Sequence, residues 1–159
     1  MLSGEIVKGD DDKFRALLEN VPVRRLVLDS KGGDYFAALG IALEVYKHGI
    51  ATIAPSANQC IKADDQVCMC ASACFFIWAA GRPRFGRELV VHMSDLPDLK
   101  GKDKVTRANG IAATKAHMQD MLRKFGTPEI VVEGAINTPN QSPRRLSEDE
   151  LQAMQPRKS

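Results

Sequence analysis

Three short stretches hold residue types whose spacing could do chemistry. The first is Cys70-Ala71-Ser72-Ala73-Cys74, in which a serine sits between an aliphatic run and a wholly apolar one, flanked only by small side chains. A serine nucleophile needs a sharp turn that exposes its hydroxyl and small neighbours that let a substrate approach. It also gains from a following helix, whose free N–H groups favour a developing oxyanion. The string is not Gly-x-Ser-x-Gly, and an N-cap serine on a core helix is the plainer reading of such a boundary. The second stretch is Ser30-Lys31-Gly32-Gly33. Two glycines between a strand and a helix permit unusual backbone angles and close approach to a ligand, and their N–H groups could supply half of an oxyanion hole. The third is His92, which closes the run Leu89-Val90-Val91-His92, 20 residues after Ser72. At a strand end it could act as general base for a serine, whereas His48 and His117 fall within predicted helices and read as surface residues.

The elements that must position these residues follow from hydrophobic periodicity. A short strand is expected at Gly4–Lys8, a helix from Asp10 with acids in its first turn, and a strand at Arg24–Asp29. Asp34 is placed to cap a helix over Tyr35–Lys47, which Gly49 closes. Further strands are expected at Ile50–Ile53 and Gln66–Cys70, with a polar loop over Pro55–Asp65 between them. Ala73–Ala80 is apolar all round and reads as a buried helix ended by Gly81. Arg84–Phe85 and Leu89–Met93 read as short strands, and 94–103 as a polar loop. Helices follow over Val105–Phe125, Pro128–Ala135 and Ser147–Met154, the last opened by the capping box Ser147-Glu148-Asp149-Glu150. Strands that alternate with helices make the fold class α/β with mainly parallel pairing. Ligands in such folds gather at the carboxyl ends of strands, where all three chemical stretches fall.

Composition bounds the remaining choices. The 159 residues suit one domain, 1–159, with an α/β core over 1–93 and a helical C-terminal region over 104–155. There are 22 Lys+Arg against 20 Asp+Glu, a net charge of +2, which argues against a dedicated nucleic-acid binder. The excess is mildly uneven, acidic over 1–80 and basic over 81–159. No apolar run approaches the ~20 residues of a membrane helix. No phosphate loop is present, so no nucleotide cofactor is expected. The N-terminus lacks the apolar stretch of a signal peptide, which leaves either a cytoplasmic protein or one whose targeting segment lies upstream. Of the four cysteines, Cys60 and Cys68 could form a disulfide in an oxidising compartment, while Cys70 and Cys74 read as small buried thiols. The spacing Cys-x7-Cys-x-Cys-x3-Cys matches no common zinc pattern, so no metal is expected.

Taken together, Leu28-Asp29-Ser30-Lys31-Gly32-Gly33-Asp34, Cys70-Ala71-Ser72-Ala73-Cys74-Phe75-Phe76-Ile77-Trp78-Ala79-Ala80-Gly81 and Val90-Val91-His92-Met93 resemble the Clp protease/crotonase superfamily. The likeness is nearest to the ClpP-class bacterial proteins often predicted to be periplasmic, which also share the opening Gly4-Glu5-Ile6-Val7-Lys8-Gly9-Asp10. It runs from about Leu2 to Met154. The resemblance implies a ClpP/crotonase-like fold with a mainly parallel sheet, flanking helices and a helical C-terminal region. It implies Ser72 as nucleophile, His92 as base, the N–H groups of Gly33 and Ala73 as oxyanion hole, and Gly32 as the supporting turn. It also implies a peptide or protein substrate, a homo-oligomer and an exported location.

Two departures accompany it. The Ser72-to-His92 spacing is shorter than in the Clp subunit. The family's orienting aspartate follows the last helix, where this chain reads Gln155–Ser159 with no acid, and Asp95 is the acid nearest His92 in the chain; the third triad member is unassigned. Three readings therefore stand at this point: a serine hydrolase, a non-catalytic relative that assembles or binds peptide, and a thiol or metal protein built on the cysteines.

Overall fold

A computed structural model describes residues 1–56, 68–93 and 100–154. In chain order these form β1 (Leu2–Ser3), α1 (Asp10–Asn20), β2 (Arg25–Asp29), α2 (Tyr35–His48), β3 (Ala51–Ile53), β4 (Cys70–Ala71) and α3 (Ala73–Ala80). They continue with β5 (Arg84–Phe85), β6 (Leu89–Val91), α4 (Lys104–Lys124), α5 (Glu129–Asn137), β7 (Arg144–Arg145) and α6 (Glu148–Ala153). One sheet has the order β1-β2-β3-β5 and is parallel throughout. The second has the order β4-β6-β7, with β4 and β6 parallel and β7 antiparallel to β6. A parallel bridge between Ser30 and Cys70 joins the end of β2 to β4, so the carboxyl ends of β2, β4 and β6 lie side by side.

The helices end where their residue types dictate. The Asp34 carboxylate accepts the Ala37 N–H at 2.8 Å, satisfying a free donor at the start of α2, and Gly49 closes that helix at φ 62°. Asp103 caps α4 by accepting from the N–H groups of Val105 and Thr106, each at 3.0 Å. The capping box of α6 forms as its sequence requires, Ser147 accepting from Glu150 N–H while Glu150 accepts from Ser147 N–H.

The core is centred on α3, all eight of whose residues are buried. It packs against α2, which in turn carries α1 on its other side. Each large side chain buried here stabilises the fold by roughly 1.5–3 kcal/mol, and α3 contributes Phe75, Phe76, Ile77 and Trp78. Thr52 ties this helix to β3 by donating its hydroxyl to the Trp78 carbonyl at 2.8 Å. By contrast α4 buries only Met118 and Leu122 and leaves Val105 and Ile111 exposed.

The strands depart from the sequence reading more than the helices do. The first strand is Leu2–Ser3 and not Gly4–Lys8; Gly4 takes φ 84° and breaks the extended run, and Ile6 rejoins through a bridge to Gly33. The strand expected at Gln66–Cys70 is Cys70–Ala71, because Cys68 lies at φ 58°; Gln66 and Val67 fall outside the described residues. β6 ends at Val91, so His92 and Met93 follow the strand, where Met93 N–H donates to Thr138 O. Finally β7 was not expected at all. Most of the Pro55–Asp65 loop, and residues 94–99 of the later one, lie outside the described residues.

Candidate active site

Ser72 joins β4 to α3 at φ 56°, ψ −123°. A non-glycine residue there lies outside the regions that L-residues populate, and such strain persists only where the surroundings over-determine it. Here they do. Ala71 N–H donates to Ser30 O and Ser72 N–H to Val90 O, both at 2.9 Å, while Phe75 N–H donates to Ser72 O at 3.0 Å. The strand side is thus held by two neighbouring strands, and the helix side by a buried helix. Although Ser72 occupies the N-cap position, its side chain makes no capping bond. The capping role considered from sequence is therefore not the one it plays: the residue is part-exposed on a sharp strand-to-helix turn.

The Gly32-Gly33 turn packs directly on this elbow. A Cβ at Gly32 would lie 2.7 Å from Ser72 Cβ, 2.8 Å from Ala71 O and 2.9 Å from Ala73 N, and Gly32 takes φ +100°. Glycine is required there for both space and conformation. On the opposite side Ile6 zips the turn in place, donating its N–H to Gly32 O at 2.8 Å and accepting Asp34 N–H at 2.7 Å. Because those two bonds use the flanking groups, the N–H of Gly33 itself faces away from Ile6. Neither it nor the Ala73 N–H at the helix start meets an acceptor among the described residues. Two unpaired backbone donors thus belong to segments packed against each other beside Ser72.

Sequence reasoning passed over Ser30, which organises this turn. Fully buried, it accepts the Gly32 N–H at 3.0 Å and donates to Gly4 O at 2.5 Å. A serine two residues before a Gly-Gly pair is a recognisable turn signal that could have marked it. Tyr35 anchors the start of α2, with its ring 5.2 Å from Phe76 and 6.0 Å from His117. Burial pushes its phenol up to about 12, so it stays neutral, and its hydroxyl hydrogen-bonds His117 Nδ1 at 3.3 Å.

His92 follows the strand that pairs with β4. Ala71 lies beside Val90, and Ser72 N–H donates to Val90 O, two residues before His92; among the described residues no hydrogen bond joins Ser72 to His92. The imidazole is part-buried, with Nδ1 2.8 Å from Met93 O. A carbonyl only accepts, so Nδ1 carries the hydrogen and Nε2 is left with its lone pair, the tautomer a general base needs. Among the described residues no carboxylate bonds this ring. Asp95 and the segment Gln155–Ser159 lie outside the described residues.

The cysteines require a correction. Cys70 and Cys74 are not free thiols but a disulfide, with Cα atoms 5.3 Å apart and both side chains fully buried. Four residues of extended chain would separate those Cα atoms by about 13 Å. The positive-φ turn at Ser72 folds them back into the 4.4–6.8 Å range that a disulfide tolerates. Cys68 is also disulfide-bonded, and its N–H donates to an Asp29 carboxylate oxygen at 2.7 Å; Cys60, its expected partner, lies outside the described residues.

This architecture, an α/β fold with a parallel sheet and flanking helices, is similar to that of ClpP-fold proteins of known structure. A ClpP1 point mutant from Listeria monocytogenes matches at TM-score 0.64 and 16% identity, over 96% of this chain and 84% of that one. A serine-to-alanine mutant of the 1510-N membrane-bound stomatin-specific protease matches at TM-score 0.55 and 13% identity, over 91% of this chain and 70% of that one. No family model and no curated protein matches the sequence. At these identities the likeness concerns the fold. No helix among the described residues is long and apolar enough to cross a membrane.

Proposed function

We propose that the protein is a serine hydrolase, a peptidase that works through an acyl-enzyme on Ser72. The observation that carries this reading is the backbone of Ser72: a strained, uncapped serine on a strand-to-helix turn, with a glycine turn packed against its Cβ. Strain of this kind concentrates at functional sites, and a serine kept only for capping would make its cap. The ClpP-like fold, shared with a stomatin-specific protease, supports the same class.

In this mechanism Ser72 Oγ attacks the substrate carbonyl as His92 Nε2 takes its proton. The N–H groups of Gly33 and Ala73 stabilise the oxyanion, and protonated His92 then returns the proton to the leaving amine. Water, deprotonated by the same imidazole, hydrolyses the acyl-enzyme. Met93 O holds Nδ1–H, and with no carboxylate on this ring among the described residues the reading taken is a Ser72–His92 dyad. A carbonyl carries no charge to stabilise the imidazolium, so turnover is slower than in a complete triad, where the orienting acid is worth about 10⁴.

That no carboxylate bonds His92 among the described residues favours a second reading, a non-catalytic peptide-binding relative. Reaction with a fluorophosphonate separates the two. The hydrolase reading expects wild type to be labelled and Ser72→Ala and His92→Ala to be refractory; equal labelling of all three contradicts it. The disulfides at Cys68 and Cys70–Cys74 fit maturation in an oxidising compartment such as the periplasm. The exposed first half of α4 is the surface proposed for self-assembly.

A further inference from the structure

We infer that the Cys70–Cys74 disulfide is a positioning device for the nucleophile: it clamps the Ser72 elbow in its reactive conformation, and its reduction by a dithiol switches the site off. This inference rests on the hydrolase reading of Ser72. The bond joins the residue two before the serine to the residue two after it. Cys70 belongs to β4, where its N–H donates to Glu88 O at 2.8 Å, and it bridges to Ser30. Cys74 belongs to the first turn of α3. The covalent link thus spans the one junction in the site whose backbone is strained and whose helix start has no side-chain cap.

Without the link, the strained φ of Ser72 is held by the hydrogen bonds of Ala71, Ser72 and Phe75 alone, and local opening of those bonds lets it relax to negative φ. With it, the Cα atoms of Cys70 and Cys74 stay at disulfide distance, and extended alternatives are closed off. Gly32 adds a one-sided support, since it packs on Ser72 Cβ but makes no bond that would pull the turn back once released. The consequence reaches the oxyanion donors as well, because Ala73 N–H lies inside the clamped loop. A displacement of about 1 Å at a reacting group costs about 10²-fold in rate, so release of the elbow should slow acylation while the surrounding sheet, and with it substrate binding, persists.

The chemistry of release is thiol–disulfide exchange, which reaches the two buried sulfurs when the β4–α3 junction opens locally. One thiolate of the dithiol attacks a cysteine sulfur and breaks the S–S bond, and its second thiol resolves the mixed disulfide. The products are the Cys70 and Cys74 thiols and the reductant's own cyclic disulfide, a two-electron reduction of the protein.

The test uses partially reduced wild-type protein, so that every molecule shares one sequence. Protein treated with graded dithiothreitol is reacted briefly with a fluorophosphonate and quenched with N-ethylmaleimide. Mass spectrometry of the peptide covering residues 63–84 then reports adduct and thiol state in the same molecules. The expected result is an adduct on Ser72 in molecules that keep Cys70–Cys74, formed at least tenfold faster than in molecules alkylated at both. Molecules reduced only at Cys68 serve as the internal control and should label like the oxidised form. Equal adduct in both Cys70–Cys74 states overturns the clamp and leaves the hydrolase reading intact; no adduct on Ser72 in fully oxidised protein overturns the hydrolase reading itself. In peptide hydrolysis, the Cys70→Ala/Cys74→Ala double variant should lose kcat by at least tenfold with KM within about twofold. A rise in KM with kcat unchanged contradicts a positioning role.

Discussion

The Gly32→Ala substitution probes the site without touching any group proposed to react. Alanine at φ +100° is strained whatever the space, which alone costs about 1–3 kcal/mol. The added methyl would also lie 2.7 Å from Ser72 Cβ and 2.9 Å from Ala73 N, well inside van der Waals contact. One of the two segments must move. The turn is zipped to Ile6 through Gly32 O and Asp34 N–H, so the shift falls on the elbow. A domain of this length loses roughly 2–4 °C of Tm per kcal/mol, which puts the expected drop at about 2–12 °C. Activity should fall further than stability, since a displacement of about 1 Å costs about 10²-fold. The assay is the second-order rate of fluorophosphonate labelling at 25 °C, with a thermal melt on the same sample. A variant that melts several degrees lower yet labels at the wild-type rate would refute the reasoning, because it would mean that Gly32 supports the fold and not Ser72.

Three further outcomes test the scaffold. Phe76→Ala removes a buried ring that packs on Tyr35 and Phe75, and should cost about 3–5 kcal/mol by chemical denaturation, with Tm lower by roughly 6–20 °C. Ser147→Ala breaks the capping box of α6 and should cost about 1 kcal/mol, read as a midpoint shift in urea at unchanged slope. The Arg144 guanidinium, helped by the Ser147 N–H, holds the Glu150 carboxyl below the usual glutamate range. That depressed value means the stabilisation is complete above the ordinary carboxylate range and is lost as the pH falls through the folded value. Wild type should therefore melt above Glu150→Gln at pH 7 and converge on it as the pH falls below the ordinary glutamate range and through the depressed folded value; a gap that is constant with pH contradicts the pairing.

The helices were legible because their signals are local. Asp34 and Gly49 bracket α2, and Ser147 with Glu150 opens α6, each through bonds within one turn of chain. Strands of two or three residues carry too little periodicity to announce their limits, and β4 begins only where the φ 58° of Cys68 ends. β7 is two arginines with no apolar pattern, and it exists because β6 offers an edge in register with it. At the site, the residue types of Ser72, Gly32, Gly33 and His92 were readable, together with their places at strand ends. The Cys70–Cys74 bond was not, because its closeness comes from one backbone angle at Ser72. Nor was the Nδ1 partner of His92, since a main-chain carbonyl leaves no mark in residue type.

The central claim is that Ser72 is the nucleophile, and locating a covalent adduct tests it most directly. Oxidised wild-type protein is incubated with a fluorophosphonate, digested and sequenced by tandem mass spectrometry. The account predicts one stoichiometric adduct, on Ser72, and none on the Ser72→Ala protein. An adduct on another serine, or no adduct on wild type, would contradict it.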